Sequence, residues 1–210
     1  MITVLVANIK GGCGKTTVAT HLAAAYAKQG FAVAIADVDR QRSSLGWLER
    51  RPTTATPIIG LDWGKDFHAP PKALPRLVID APAALKTKQI EELVKMADLV
   101  VLPVLPGVFD EQATRRFLDK LEELKPIAKN KKQVAVVGNR LRARTKSAER
   151  LDAFLSGVGH SVAARLRDSQ IYADAAAAGL SLFDLTAKRA AEHREDWAPL
   201  LAYIDQATTG

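Results

Sequence analysis

The segment Lys10-Gly11-Gly12-Cys13-Gly14-Lys15-Thr16-Thr17 places two lysines and two hydroxyls around three glycines. Glycines allow a turn tight enough for successive N–H groups to converge on phosphate oxygens, and a helix beginning just afterwards points its positive end at the same anion. On this reading Lys15 reaches the β- and γ-phosphates of a nucleotide and the Thr16 hydroxyl ligates Mg²⁺, with Gly11, Gly12, Cys13, Gly14 and Thr17 completing the cradle. Cys13 is read as a small packed residue, although a thiol among phosphate-binding N–H groups could titrate low. The four histidines, at 21, 68, 160 and 193, show no ligand spacing and are assigned no chemistry.

Such a loop needs a strand before it and a helix after it, and the apolar pattern supplies both. Ile2–Ala7 is a nearly continuous apolar run, and Thr16–Gln29 shows helical spacing through Val18, Leu22, Ala25 and Tyr26 before Gly30 stops it. Further strands are expected over Phe31–Ala36, Leu77–Ile79, Leu99–Val104 (ending at Pro103 and Pro106) and Val134–Val137. Helices are expected over Thr87–Met96, Glu111–Lys125, Ser147–Ser156 and Ala187–Gln206. Strands apolar on both sides and alternating with helices predict an α/β fold, a mostly parallel sheet with helices on both faces. Ligands then bind where the strands end, which singles out Asp37, Asp39, Asp80 and Asn139. Residues 52–75, with five prolines, resist assignment, and residues 1–210 are read as one domain.

The loop departs from the general phosphate-binding pattern, having Ile9 where a glycine is usual and Lys10 before the paired glycines. In this it resembles the ParA/MinD family of deviant Walker-A ATPases, whose loop reads K-G-G-x-G-K-[ST]. The resemblance implies a P-loop NTPase-type three-layer sandwich, ATP and Mg²⁺ as cofactors, and a sandwich homodimer in which Lys10 crosses to the partner's nucleotide. Asp37-Val38-Asp39-Arg40-Gln41 resembles the family's D-x-D-P-Q, with Arg40 for the proline. It implies that Asp39 orients or deprotonates the attacking water, with Lys10 and Lys15 as its catalytic companions. Asp37 then supports Mg²⁺ or the loop, with a strand-end cap as its alternative. Leu77-Val78-Ile79-Asp80-Ala81-Pro82 resembles the Walker-B strand, putting Asp80 beside Mg²⁺, although Ala81 lacks the usual hydroxyl. Asn139-Arg140 resembles the adenine-contacting pair of the family, an Asn amide being able both to donate to and accept from a base edge. Arg167-Asp168-Ser169-Gln170-Ile171-Tyr172 resembles R-x-R-x-x-[FY], with Ser169 for the second arginine.

Composition excludes several classes. One cysteine in 210 residues allows neither an internal disulfide nor a Cys-based zinc site, and lacks the cysteines that the iron-protein branch of the family needs. The amino-terminal residues carry no basic signal region, and Pro103 interrupts the longest apolar run, so secretion and membrane spanning are not expected. The formal charge is +7, and residues 125–150 hold nine basic residues against one acidic. Two basic surfaces are candidates for duplex DNA bound without sequence preference: Arg142, Arg144 and Lys146, and, nearer the carboxyl terminus, Arg165, Arg167, Lys188 and Arg189. By resemblance the chain is a small ParA-like ATPase lacking an N-terminal helix-turn-helix domain. It is expected to be cytoplasmic and nucleoid-associated, to partition or position a plasmid, chromosome or protein cargo, and to be stimulated by a ParB-like or other adaptor protein. A MinD-like membrane ATPase is the alternative, set against the four acids and one arginine between Glu192 and Gly210. An ATP-dependent ligase or synthetase on the same scaffold is a third.

Overall fold

A computed structural model of the chain describes residues 1–208 apart from 65, 69, 72 and 130. Three of these positions fall in the unassigned 52–75 stretch, and the end of the expected 1–210 domain likewise lies outside the described residues.

The sheet is built from β1 (Ile2–Val6), β2 (Val33–Asp37), β3 (Ile59–Asp62), β4 (Arg76–Asp80), β5 (Leu99–Val104), β6 (Gln133–Leu141) and β7 (Ser161–Arg167). Its order is β3-β2-β4-β1-β5-β6-β7, and every neighbouring pair is parallel. The expectation of a mostly parallel α/β sheet is thus met in full. Alternation of side chains across the pleat explains the continuous apolar runs. In β5, Val100, Leu102 and Val104 enter the core on one face while Leu99 and Val101 enter the core on the other.

On the first face lie α3 (Thr87–Met96), α4 (Val108–Glu122), the short α5 (Lys125–Ala128) and α6 (Lys146–Ser156), anchored by Leu93, Phe117, Ile127 and Leu151. The second face is covered by α1 (Lys15–Lys28), α8 (Lys188–Arg194) and α9 (Ala198–Thr208), through Val18, Leu22, Ala190, Leu200 and Ile204. Two further helices, α2 (Ser43–Glu49) and α7 (Ile171–Ala177), follow the carboxyl ends of β2 and β7.

β5 runs through Pro103 rather than ending there. Its ladder with β1 stops at Val101, so the missing proline N–H forfeits no bond on that side. The single helix expected over Ala187–Gln206 is broken by a 3₁₀ turn at Glu195–Trp197. Pro199 cannot donate to the preceding turn and is tolerated in the first turn of a new helix, α9. Among the described residues no helix is long and apolar enough to cross a membrane.

Candidate active site

The loop between β1 and α1 lies at the carboxyl edge of the central strand, flanked by the ends of β4 and β5. Asn8, buried and overlooked in the sequence, holds its start. Its amide donates to the Pro103 carbonyl at 2.9 Å and to Thr114 Oγ1 of α4 at 3.1 Å, and its oxygen receives the Lys10 N–H at 3.1 Å. A polar residue closing an otherwise apolar run was the available signal. At the other end Gly14 caps α1 in the left-handed region, φ 93°, where a side chain would be strained. The first turn of α1 holds no acidic residue, so no carboxylate of its own competes for its N–H groups.

Lys15 is only 8% exposed, and its ammonium donates back to the Lys10 carbonyl at 3.0 Å, arching over the loop. Cys13 is buried 3.9 Å from that ammonium. Burial pushes its thiol above the ordinary value in spite of Lys15, which favours the packed residue over the low-titrating thiol. Lys10 is half-buried, and its side chain takes part in no hydrogen bond or ion pair among the described residues.

Three carboxylates face this loop in different states. Asp80, at the end of β4, is buried, and neither of its oxygens makes a hydrogen bond among the described residues. Burial pushes its carboxyl up to about 7. The Thr16 hydroxyl alongside opposes this without completing a bond, the Asp37 charge reinforces it, and Lys15 opposes it. Asp39 is half-buried, with one oxygen accepting the Gln41 N–H at 3.0 Å. Asp37, expected to support Mg²⁺ or the loop, is instead consumed by the protein. It accepts from Asp39 N at 2.9 Å, Ser44 N at 2.8 Å, Ser44 Oγ at 2.7 Å and Leu45 N at 3.2 Å. It therefore caps α2, whose own N-cap position, Arg42, offers no side-chain bond. Of the alternatives for Asp37 this geometry provides the cap, with three bonds on Oδ2 and one on Oδ1.

Gly11, Gly12, Gly14, Lys15, Thr16, Thr17, Asp39 and Arg140 border a cavity of about 240 Å³, closed on one side by Ala81 and Ala83. The cradle residues, Lys15 and Asp39 are thus brought together, with Asp80 behind Thr16. Thr17 and Arg140 also border a larger cavity of about 630 Å³ walled by Asn139, Arg142, Arg167, Tyr172 and Arg189, room for a nucleoside beside its phosphates. Asn139, expected to contact the base, lines this larger cavity and also donates one amide hydrogen to the phosphate loop, at the Cys13 carbonyl, 2.8 Å. Arg140 lies exposed at the junction of the two cavities.

The basic candidates divide. Arg142, Arg165 and Arg167 are engaged by Asp168, Asp152 and Asp196 at 2.8, 2.6 and 2.8 Å, and Arg189 donates to Ser169 Oγ at 3.2 Å. Arg144, Lys146 and Lys188 are exposed with no ion pair among the described residues. Arg142, Arg167 and Arg189 moreover line the nucleoside-sized cavity, so the two expected basic surfaces meet at its mouth.

Among the described residues no group of three or more His, Cys, Asp and Glu side chains could hold a metal alone. Mg²⁺ retains waters and takes substrate phosphates rather than a full protein cage. The partnerless Asp80 oxygens beside the Thr16 hydroxyl, facing a loop that can hold phosphate, fit that requirement.

The profile of the CobQ/CobB/MinD/ParA nucleotide binding domain matches residues 4–182. Maintenance of carboxysome distribution protein A from Halothiobacillus neapolitanus is 27% identical over 193 residues, 89% of this chain and 88% of that protein. The protein of the same name from Gloeobacter kilaueensis is 37% identical over 116 residues, 51% of this chain and 50% of that one. Among solved structures, the ATP complex of an Asp-to-Ala variant of McdA from Cyanothece superposes with a TM-score of 0.75 at 18% identity, covering 99% of this chain and 96% of that one. MinD from Aquifex aeolicus gives 0.72 at 17% identity, covering 97% of each.

Proposed function

The chain belongs to the CobQ/CobB/MinD/ParA nucleotide-binding family, and on that premise we propose that it is an ATPase of the ParA type, a switch that positions a large cargo. The observation that carries this reading is Lys10. It opens the phosphate loop with an ammonium that makes no hydrogen bond or ion pair among the described residues, while its carbonyl is already held by Lys15. A second lysine with no partner for its side chain among the described residues is suited to a nucleotide held by a facing copy.

In this mechanism the loop N–H groups and Lys15 hold the triphosphate and offset the charge that develops on it. Mg²⁺, held through Thr16 and Asp80, would add neutralisation at the same oxygens. Asp39, with one oxygen fixed by Gln41 N–H and the other unbonded among the described residues, positions the attacking water and accepts its proton. Phosphoryl transfer depends chiefly on such positioning, and one carboxylate with two lysines suits slow, partner-stimulated turnover. Closure on ATP presents two copies of the basic rim to duplex DNA. The ATP-closed form thus resides on the nucleoid in the cytoplasm, and hydrolysis releases it. Kinship with two proteins named for carboxysome distribution favours a protein assembly as cargo, delivered through an adaptor. The membrane alternative is not favoured, because Leu200 and Ile204 of α9 are buried against the sheet.

Light scattering and turnover assays with ATP and Mg²⁺ test the switch. Lys10→Ala should keep ATP affinity within a few-fold yet stay monomeric, and Asp39→Ala should remain dimeric on ATP with hydrolysis lowered on the order of a hundredfold. A Lys10→Ala protein that dimerises and turns over like the parent would remove the reading.

A further inference from the structure

β6 holds one extra residue where Gly138 faces Arg165 and Leu141 faces Arg167. Bulges re-aim the side chains within them, and here the residues concerned are Asn139 and Arg140. Arg140 adopts the left-handed conformation, φ 52°, and its N–H lies on Asn139 Oδ1 at 2.9 Å. The other end of the same amide donates to the Cys13 carbonyl at 2.8 Å. The two neighbours fix which end is which. Reversing the amide would set oxygen against oxygen and N–H against N–H. Asn139 is 6% exposed, so a base edge would have to find the one hydrogen and one lone pair left in an enclosed group.

The Cys13 carbonyl and the Gly14 N–H belong to one rigid peptide plane and point in opposite directions. Pinning the carbonyl toward β6 therefore aims the Gly14 N–H away from it, on the side where Gly14 borders the phosphate-sized cavity. Contact is also direct. A Cβ built on Gly14 would lie 2.3 Å from Asn139 Nδ2, so loop and amide fit only because position 14 has no side chain.

We infer that Asn139 is a positioning residue that holds the phosphate loop in its binding shape and acts on the triphosphate through that loop, not on the base. This rests on the nucleotide-binding part of the reading above and is independent of dimerisation, DNA and cargo. Whatever distinguishes one base from another then lies across the larger cavity, on the segment after β7.

The test is calorimetric binding of inorganic tripolyphosphate, ATP and GTP, each with Mg²⁺, to the parent, Asn139→Ala and Asn139→Ser. Ser retains a polar group too short to reach the Cys13 carbonyl and serves if Ala does not fold. Tripolyphosphate affinity should fall about fivefold or more, the worth of one hydrogen bond, while the ATP-to-GTP affinity ratio stays within about twofold of the parent. Unchanged tripolyphosphate affinity would overturn the inference, as would a collapse of the ATP-to-GTP ratio. A parent protein that binds tripolyphosphate and ATP but never dimerises would remove the switch and leave this assignment standing, whereas one that binds neither removes both.

Discussion

Asp80 is the residue of the site whose charge is least compensated. Fully buried, with both oxygens partnerless, it has a carboxyl pushed up to about 7 by burial, against an ordinary value of 3.8. A raised acid binds its proton more tightly in the folded chain than in the unfolded one. The stability it contributes is therefore full below the unfolded value and is lost as the pH rises through the folded value. The ligand-free protein should melt higher at about pH 5 than at about pH 8, and Asp80→Asn should flatten that difference. The same proton must leave before Asp80 can face a cation, so the affinity for Mg²⁺ with nucleotide should rise between about pH 6 and 8. Melting curves and titration calorimetry across this range check both, and an Asn variant with the parent's pH profile would refute the assignment. The types and strand-end positions of Asp37, Asp39, Asp80 and Asn139 were legible in the sequence because apolar runs end visibly. What each touches was not. Whether a carboxylate faces a cation or caps a helix depends on donors such as Ser44, seven residues from Asp37, that no periodicity announces.

Helix α2 joins the candidate catalytic Asp39 segment to the carboxyl-terminal part of the chain and is fastened at both ends. Asp37 caps its start. Beyond its end Arg51 forms a bidentate pair with Asp184 at 2.8 and 2.9 Å, donates to the Gly179 and Thr56 carbonyls, and lies over the Trp47 ring at 5.1 Å. The two side chains of the pair are 5% and 3% exposed. Gly179 is required beside them, because at φ 66° a Cβ would meet the Arg50 carbonyl carbon at 2.4 Å. Removing one partner of such a pair leaves an uncompensated buried charge, so Asp184→Ala should cost about 3–5 kcal/mol. A double replacement of Arg51 and Asp184 by apolar residues should recover much of that loss. Urea unfolding decides, and a loss under about 1 kcal/mol would show that the pair behaves as a surface one. None of this is visible in a linear reading. Ser43–Glu49 buries only Ser44, Leu45 and Trp47, too little apolar periodicity to signal a helix. β3 likewise escaped prediction, because an edge strand with exposed Ile59 and Gly60 inside a proline-rich stretch has no two-sided apolar run. The central strands and α3 were legible because both faces, or one sharp stripe, are buried. α3 has the bounds its spacing predicted.

At the scale of the molecule the question is where the +7 charge is available. An arginine held by a carboxylate offers a DNA phosphate less than a free one does, since the pair must open or the phosphate must sit against a nearby anion. Arg142, Arg165 and Arg167 are held in this way, whereas Arg144, Lys146 and Lys188 have no such partner among the described residues. Arg189, which donates to the neutral Ser169 hydroxyl, shares with Arg142 the wall of the cavity beside Thr17 and Arg140, so DNA on this rim would lie close to bound nucleotide. Counterion release sets the expected size of each loss: binding falls with salt by about 0.9 logarithmic units per tenfold change for every phosphate neutralised. Charge reversal of Arg144, Lys146 and Lys188 together should therefore lower the salt slope of the ATP-bound dimer by up to about 2.7 per protomer engaged. Reversal of Arg165, whose partner Asp152 would then repel the new glutamate, should change DNA affinity far less and show its effect in stability. Anisotropy of a labelled duplex over a salt series, with and without ATP, measures both variants. If Arg165→Glu weakens DNA as much as the triple reversal, the free cations are not the contact surface, and DNA must open the ion pairs to bind.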